Sequence, residues 1–178
     1  NILTRMKRNY SRELYIEVIE KLKHFRPNIK ISSDFIVGFP GETDADFQQT
    51  MALIEEVKFD ASFSFIYSAR PGTPASKLDD VTPLAEKKER LNILQNRIDE
   101  LQTFYSDALE GTIQRCLVTG ISKKNIKQLQ ARTECNRVVN FDFQNINILG
   151  KLVDINITKA YQRSLVGKIL HSEELQSA

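Results

Sequence analysis

Residues Gly38 to Thr43, with the sequence GFPGET, combine turn-forming residues with a carboxylate at the end of an apolar segment. Gly38 and Gly41 would let the backbone come close to a ligand, and Glu42 would place a negative charge at the start of the following helix. Asp34 lies inside the preceding apolar run, where a buried carboxylate needs a partner or a ligand. The alternative is a plain strand-to-helix turn in which Glu42 only interacts with the helix dipole. The residue types alone leave both interpretations open.

A second candidate is the loop at residues 68–75, SARPGTPA, which also follows a predicted strand. Arg70 offers a planar guanidinium whose donors match a carboxylate or a phosphate, and the prolines around it would stiffen the loop. The alternative is a rigid connector that carries a surface arginine. Because the loop is predicted at the same sheet edge as Glu42, we favour a functional role.

The positive charge of the 178-residue chain is concentrated in its second half. Residues 110–172 contain ten Lys and Arg residues and four acidic residues, a net charge of +6, whereas residues 1–109 carry a net charge of −2. Basic grooves with aromatic side chains are typical of proteins that bind single-stranded nucleic acid. The alternative is a solvated basic face. The candidate RNA-binding residues are Lys123, Lys124, Lys127, Arg132, Arg137 and Phe141.

Several kinds of site are not predicted because their residues are lacking. The two cysteines, Cys116 and Cys135, and the two histidines have no ligand-like spacing, so neither a disulfide framework nor a metal site is expected. The sequence has no Gly-rich phosphate loop and no nucleophile–base–acid triad, so we assign no catalytic residue. No apolar run is long enough to span a membrane, and the N-terminal residues do not form a signal peptide. We expect a cytoplasmic protein with no membrane partner.

The first half of the sequence alternates between helical and strand patterns. Helices are predicted to begin after Ser11 and Thr43, whose side chains can cap them. Strands are predicted over residues 29–37 and 61–67, in an order typical of a right-handed parallel crossover. The apolar run that ends the first strand predicts burial on both faces. Two such strands would leave apolar faces and edges open, so we expect this half to be the end of a larger sheet or barrel.

A long amphipathic helix is predicted over about residues 83–109, with a buried stripe that starts at Leu84 and includes Leu94 and Ile98. At 1.5 Å per residue it would be roughly 39 Å long, enough to connect two modules. After Gly111, five short strands are predicted at residues 113–118, 128–133, 137–141, 152–157 and 165–170. This spacing predicts a small five-stranded barrel of the oligonucleotide-binding (OB) type. The fold class is therefore α/β followed by all-β.

Four strings of the sequence resemble a known family. They are MKRNY at 6–10, ISSDFIVGFPGET at 31–43, FIYSARPGTPA at 65–75 and NRVVNF at 136–141. Their order and composition are similar to those of radical S-adenosylmethionine (radical SAM) methylthiotransferases, and the similarity covers essentially the whole chain. The resemblance implies that residues 1–109 are the C-terminal part of a radical SAM (βα) partial barrel, including the long helix. Residues 110–172 would be an OB-like TRAM domain, and 173–178 a tail.

The resemblance also implies cofactors that this sequence alone cannot hold. The family uses S-adenosylmethionine and two 4Fe–4S clusters, one in an N-terminal domain and one on a triple-cysteine loop of the radical domain. Neither that domain nor that loop is in this sequence, so the resemblance predicts a C-terminal fragment that is inactive alone. It places part of the S-adenosylmethionine pocket at the end of the first strand. The candidate cofactor-binding residues are Asp34, Gly38, Phe39, Pro40, Gly41, Glu42 and Arg8, and Arg70 is a candidate for substrate contact.

The string around Arg70 resembles the family members that modify tRNA. They add a methylthio group to carbon 2 of N6-isopentenyladenosine at position 37, next to the anticodon. The predicted partner is the anticodon stem-loop of tRNA, bound by a monomer. Two alternatives stay open: a non-catalytic RNA-binding module, and a sister methylthiotransferase that acts on ribosomal protein S12. The chain departs from the TRAM pattern at Ala131, where a glycine is usual, so the local turn is expected to differ.

Overall fold

The computed structural model describes residues 2–123, 125–142 and 146–170. Lys124, a predicted RNA-binding residue, and the predicted tail at 173–178 lie outside the described residues. The chain divides into two compact units, Asn1–Leu101 and Gln102–Ala178. None of the helices in the described part is long and apolar enough to cross a membrane.

The first unit combines helices with a two-stranded sheet. Its elements are α1 (Ile2–Arg5), α2 (Arg12–Phe25), β1 (Ser32–Val37), α3 (Asp44–Val57), β2 (Ala61–Ile66), a short 3-10 helix (Pro74–Lys77) and the first part of α4 (Leu84–Asp107). Both predicted caps are confirmed, because Ser11 accepts the N–H of Leu14 and Thr43 forms a capping box with Asp46. The capping box determines where the chain leaves the turn after β1 and enters α3.

The sheet pairs β1 and β2 in parallel, as the order of the predicted elements requires. β1 begins at Ser32, three residues later than predicted. Phe35 and Val37 lie on its buried face, and the ring of Phe35 contacts the edge of Phe59 with centroids 5.3 Å apart. This contact joins the sheet to the segment between α3 and β2. Because Phe35 and Val37 share one face of β1, the core of this unit lies on that side of the sheet.

The other face of the sheet is open. Asp34 on β1 is opposite Phe63 on β2, and Ile36 is opposite Phe65. Asp34 is exposed, Ile36 is 39% exposed, and Phe63 and Phe65 are 67% and 56% exposed. The prediction that β1 is buried on both faces is therefore wrong for the described residues, whereas the predicted open apolar face is present. Apolar side chains on this face have high strand propensity but nothing among the described residues buries them.

Helix α4 contains charged residues within its buried stripe. It begins at Leu84, one residue after the predicted start, and Leu94 and Ile98 are buried as predicted. Leu84 is 58% exposed, so its predicted burial is wrong. Lys87 and Arg90 are each 5% exposed and occupy the first turns of the stripe. Buried cations need paired anions, which the preceding turn and loop supply.

The second unit is a closed five-stranded barrel, and the predicted order of α/β followed by all-β is confirmed. Its strands are β3 (Ile113–Ile121), β4 (Gln128–Thr133), β5 (Val138–Asp142), β6 (Leu152–Tyr161) and β7 (Ser164–Ile169), with a 3-10 helix at Ile146–Ile148. The barrel order is β3-β4-β5-β7-β6, and the pair β5–β7 is parallel while the other pairs are antiparallel. β3 and β6 are longer than predicted, and each has a register shift that lets a long strand bend around a small barrel.

The barrel core consists of alternate residues from every strand. Its buried members are Cys116, Val118, Leu129, Ala131, Val139, Phe141, Ile155, Ile157 and Leu165. Ala131 lies in the middle of β4 and is fully buried. The expected change of a local turn at this position is therefore wrong, because the position belongs to a strand and its side chain faces the core.

Candidate functional site

Residues 38–42 form a tight turn between β1 and α3. Gly38 and Gly41 have φ angles of +68° and +80°, the left-handed region that favours glycine. The N–H of Glu42 donates to the carbonyl of Phe39 at 2.8 Å, and the carboxylate of Glu42 accepts the N–H of Gly38 at 2.6 Å. The turn is thus closed by its own backbone and by one carboxylate.

Arg90 on α4 holds the same carboxylate from the other side. Its guanidinium donates to Oε2 of Glu42 at 3.0 Å and to the Glu42 carbonyl at 3.2 Å. It also forms ion pairs with Asp44 and with Glu86, one turn earlier on α4. Burial lowers the pKa of Arg90, but hydrogen bonds to Asp44 and Glu42 and the charges of Glu42 and Glu86 outweigh burial, so the pKa lies above its ordinary value. Arg90 is therefore a permanent cation within a group of three carboxylates.

The space beside the two glycines is occupied by side chains of the protein. A Cβ atom at residue 38 would lie 2.6 Å from Cγ and Cδ of Lys87, whose ammonium pairs with Asp80. A Cβ atom at residue 41 would overlap the guanidinium of Arg5. The glycines were expected to admit a ligand to the backbone. At Gly38 the structure uses this freedom to pack α4 against the turn, and at Gly41 to accommodate Arg5.

A cavity of about 560 Å³ opens at the C-terminal ends of β1 and β2, the sheet edge at which a ligand site is predicted. Its volume is in the range of small-ligand sites. Phe39 is the residue of the turn that lines it, and the Phe39 ring contacts the Tyr67 ring edge-on at a centroid distance of 5.0 Å. The N–H of Tyr67 donates to the carbonyl of Val37, which ties the two strand ends together. The charged residues that line the cavity are Arg5, Lys7, Arg8 and Arg70.

The predicted cofactor-binding residues separate into two groups. Phe39 and Arg8 line the cavity, and Arg70, predicted for substrate contact, lines it with them. The five that do not line it are Asp34, Gly38, Pro40, Gly41 and Glu42. The carboxylate of Glu42 is 4% exposed and is engaged by Gly38 and Arg90. This position favours a role in shaping the turn over direct contact with a ligand.

The predicted RNA-binding residues of the barrel also differ in exposure. Lys123 and Lys127 are exposed between β3 and β4, and Arg132 is exposed on β4, where its guanidinium donates to the carbonyl and Oδ1 of Asn136 at 2.9 and 3.0 Å. Phe141 is fully buried in the barrel core. The RNA contact predicted for Phe141 does not fit this position, because strand alternation directs residue 141 inward.

Arg137 joins the barrel to the end of α4. It is 9% exposed, and its Nε donates to Oγ of Ser106 at 2.9 Å while a terminal nitrogen donates to the carbonyl of Gln102 at 3.4 Å. A second terminal nitrogen contacts Sγ of Cys135 at 3.3 Å. Because the guanidinium is buried and held by these three partners, a structural role fits Arg137 better than the predicted contact with RNA.

Among the described residues, no group of three or more His, Cys, Asp or Glu side chains is arranged to hold a metal ion. Cys116 is buried in the barrel core, and burial, with smaller effects of Cys135 and Asp154, raises its pKa to about 12. The thiol is therefore neutral at physiological pH, whereas metal ligation requires a thiolate.

Neither Arg90 nor Lys87 is predicted from the sequence, although a pattern in α4 could have identified them. They continue the stripe of Leu94 and Ile98 at spacings of three and four residues. A charged residue at a buried position of a helix needs a partner of opposite charge from another element. This spacing would have indicated a contact with acidic residues such as Glu42, but not which of them.

Two family models match the chain. The TRAM domain model matches residues 107–170, and the Radical SAM superfamily model matches residues 1–54. These matches cover the barrel and the part of the first unit that includes the turn at 38–42.

Curated relatives are similar over 97% of the chain. The tRNA-2-methylthio-N(6)-dimethylallyladenosine synthase of Erwinia tasmaniensis is 57% identical over 172 residues, and this chain covers 36% of its length. The enzymes of the same name from Marinomonas sp. and Haemophilus ducreyi are 53% and 57% identical over 173 residues, with 38% and 36% of their lengths covered. The chain therefore spans little more than a third of the length of these relatives.

Proposed function

We propose that this chain belongs to the radical S-adenosylmethionine methylthiotransferase family and is part of an enzyme that modifies tRNA. The proposed reaction converts N6-isopentenyladenosine at position 37, next to the anticodon, to its 2-methylthio derivative. The observation that carries the proposal is 53–57% identity, over 97% of the chain, to relatives that are named for that product.

We assign residues 1–109 to the C-terminal part of the radical domain and residues 110–172 to the TRAM domain. The two family matches support this assignment, and the compact units divide eight residues before the proposed boundary, between Leu101 and Gln102. Exposed aromatic residues on the open face of the sheet, Phe63 and Phe65, support a whole protein in which further structure covers that face.

The radical SAM family implies S-adenosylmethionine and iron–sulfur chemistry, and we propose two 4Fe–4S clusters for the whole protein. S-adenosylmethionine supplies a radical when it is bound beside a reduced cluster. The described residues contain no group able to ligate a cluster, so we place none on them. They fit the organic cofactor better, since Phe39 is a buried apolar wall of the cavity and the turn at 38–42 is held rigidly behind it. We propose that this turn holds the ring of Phe39 in place and that the cofactor binds against that ring.

The TRAM domain and the tRNA-modifying relatives imply that the protein binds RNA. We propose that the anticodon stem-loop is the element bound and that a cytoplasmic monomer binds it. The net charge of +6 over residues 110–172 supports attraction of a polyanion. Among the described residues of the barrel, the exposed cations are Arg115, Lys123, Lys127, Arg132, Lys151, Lys159, Arg163 and Lys168.

Mass spectrometry of nucleosides tests the proposed reaction. In a strain that lacks the whole gene, we expect tRNA to accumulate N6-isopentenyladenosine and to lose its 2-methylthio derivative, which the intact gene restores. Unchanged methylthio-adenosine would refute the tRNA assignment. If the modified aspartate of ribosomal protein S12 were lost instead, the sister enzyme would be the correct function.

A second candidate function, a non-catalytic RNA-binding module, is favoured for this chain by the exposed cations of the barrel. A gel-shift titration of the chain with an anticodon stem-loop at 50 and 200 mM KCl tests it. Phosphate contacts predict a steep loss of affinity with salt. Binding that did not change with salt would contradict an electrostatic RNA surface.

A further inference from the structure

All the charged residues that line the cavity at the C-terminal ends of β1 and β2 are cations. Its lining includes Arg5, Lys7, Arg8 and Arg70 and contains no Asp or Glu. Three of these cations, Lys7, Arg8 and Arg70, form no ion pair within the described residues, and all three are exposed. Unneutralised cations around one space repel each other, and an anion in that space would relieve the repulsion.

The rest of the lining is apolar and aromatic. Phe39, Phe65 and Tyr67 line the cavity, and Phe65 is 56% exposed. The buried hydroxyl of Tyr67 has no hydrogen-bond partner among the described residues. A buried donor without a partner is destabilising, so we expect it to be satisfied when the cavity is filled. Aromatic rings beside arginines are the surfaces on which nucleotides stack while their phosphates are bound.

We propose that this cavity binds a phosphate group of the RNA substrate, with Arg8 and Arg70 as its ligands. The proposal rests on the proposed function and identifies the part of the radical domain that contacts the RNA. It also assigns Arg8 to the RNA substrate, whereas the resemblance places this residue at the cofactor.

The charges of the two candidate ligands favour an RNA phosphate over S-adenosylmethionine at these arginines. S-adenosylmethionine carries one carboxylate but also a sulfonium and an ammonium group, so its net charge is +1 and a cluster of unpaired cations repels it overall. An RNA phosphate is an anion whose two non-bridging oxygens can accept two N–H donors of one guanidinium. Arg8 precedes α2 and Arg70 follows β2, so two separate loops would hold one phosphate.

The test measures RNA affinity of the whole protein as a function of KCl concentration. The RNA is an anticodon stem-loop that carries the target adenosine, and the variants are Arg8→Gln and Arg70→Gln. We expect each variant to bind about tenfold more weakly at low salt, the effect of one charge-assisted hydrogen bond. The slope of log Kd against log salt should decrease in each variant by at most about 0.7, the value for neutralising one phosphate on a single strand.

Lys77→Gln is the matched control. Lys77 is an exposed cation in the 3-10 helix Pro74–Lys77, next to the cavity but not part of its lining. Its variant should keep the affinity and the slope of the unmodified protein. If all three variants weakened binding equally, a general effect of charge would replace the proposed site.

A modified RNA distinguishes a phosphate of the substrate from another anion. Methylphosphonate linkages on either side of the target adenosine remove the negative charge of the phosphates there. They should weaken binding to the unmodified protein but cause little further loss in Arg70→Gln. Equal additional losses in both proteins would overturn the proposal.

Calorimetry with S-adenosylmethionine completes the experiment. We expect both arginine variants to keep the cofactor affinity of the unmodified protein. If they lost cofactor affinity and kept the RNA salt slope, Arg8 and Arg70 would serve the cofactor and the phosphate site would be refuted. If the unmodified protein bound no RNA, the proposed function would fail, whereas RNA binding with unchanged slopes in both variants would refute only the phosphate site.

Discussion

The guanidinium of Arg90 donates to the buried carboxylate of Glu42 at 3.0 Å, across 48 residues of sequence. The other contact of that carboxylate oxygen is the N–H of Gly38 at the end of β1. A helix that leads to the barrel therefore also stabilises the turn whose Phe39 lines the cavity. The shape of this turn therefore depends on contacts from α4 as well as on Gly38 and Gly41.

Replacing Arg90 by Ala should loosen the turn. Glu42 would then be a buried carboxylate without its cation, and removing one partner of a buried pair costs about 3 kcal/mol. We expect faster hydrogen–deuterium exchange in a peptide that covers residues 38–47, measured by mass spectrometry, with the barrel peptides unchanged.

Arg97→Ala is the control on the same helix. Arg97 pairs with Glu55 and Glu100 but is 33% exposed and does not contact the turn. Removal of such a surface pair should cost about 0.5 kcal/mol. Equal protection of residues 38–47 in both variants would contradict the role given to Arg90.

Gly38→Ala tests the close packing between the turn and α4. An Ala at φ +68° is strained by about 1–2 kcal/mol, and its Cβ would also overlap the side chain of Lys87. Lys87→Ala removes the overlapping Cγ and Cδ atoms. We therefore expect Gly38→Ala to destabilise the protein less in the Lys87→Ala background than alone, as measured by urea unfolding in a double-mutant cycle. Additive effects would show that backbone strain alone requires this glycine.

Local rules explain why much of this fold is predictable from the sequence. The caps at Ser11 and Thr43 follow from side-chain oxygens placed before apolar periodic segments, and both are present. The five barrel strands follow from short alternating segments between turns. The bulges after Val118 and Ile157 are not predictable in this way, because they depend on closure of the barrel.

The candidate site is less predictable because it depends on contacts distant in sequence. The motif around Gly38 is identified from the sequence, but its partners Lys87 and Arg90 lie on another element. Phe141 shows the converse error: its basic neighbourhood favours a contact with RNA, but the alternation of β5 places the ring in the core. Charge and composition do not determine which face of a strand a residue occupies.

Phe141→Ala should unfold the barrel instead of selectively weakening RNA binding. The ring is fully buried, and truncating a buried Phe costs about 3–5 kcal/mol through lost burial and the cavity that remains. Arg132→Gln, at an exposed position on β4, should leave stability within about 0.5 kcal/mol. Circular dichroism during urea unfolding measures the stability of both variants. A Phe141→Ala protein with unchanged stability and weaker RNA binding would support the RNA contact predicted from the sequence.

Asp46 makes the stability of the first unit depend on pH in the acidic range. Hydrogen bonds from the side chain and then the backbone of Thr43 lower the pKa of Asp46 below its ordinary value. A carboxyl whose pKa is lower in the folded state stabilises the fold above its unfolded pKa, near 3.9, and this contribution is lost as the pH falls through the folded pKa.

Asp46→Asn should therefore destabilise the protein at pH 7, by about 1 kcal/mol for the loss of the capping box. The difference from the unmodified protein should stay constant down to about pH 5 and become smaller below about pH 4, where both carry a neutral side chain at this position. Urea unfolding between pH 3 and pH 7 measures the difference. Glu17→Gln, at an exposed carboxylate of α2, is the control and should show a smaller effect at pH 7. A difference for Asp46→Asn that grew as the pH fell would have the wrong sign and would contradict a capping carboxylate with a lowered pKa.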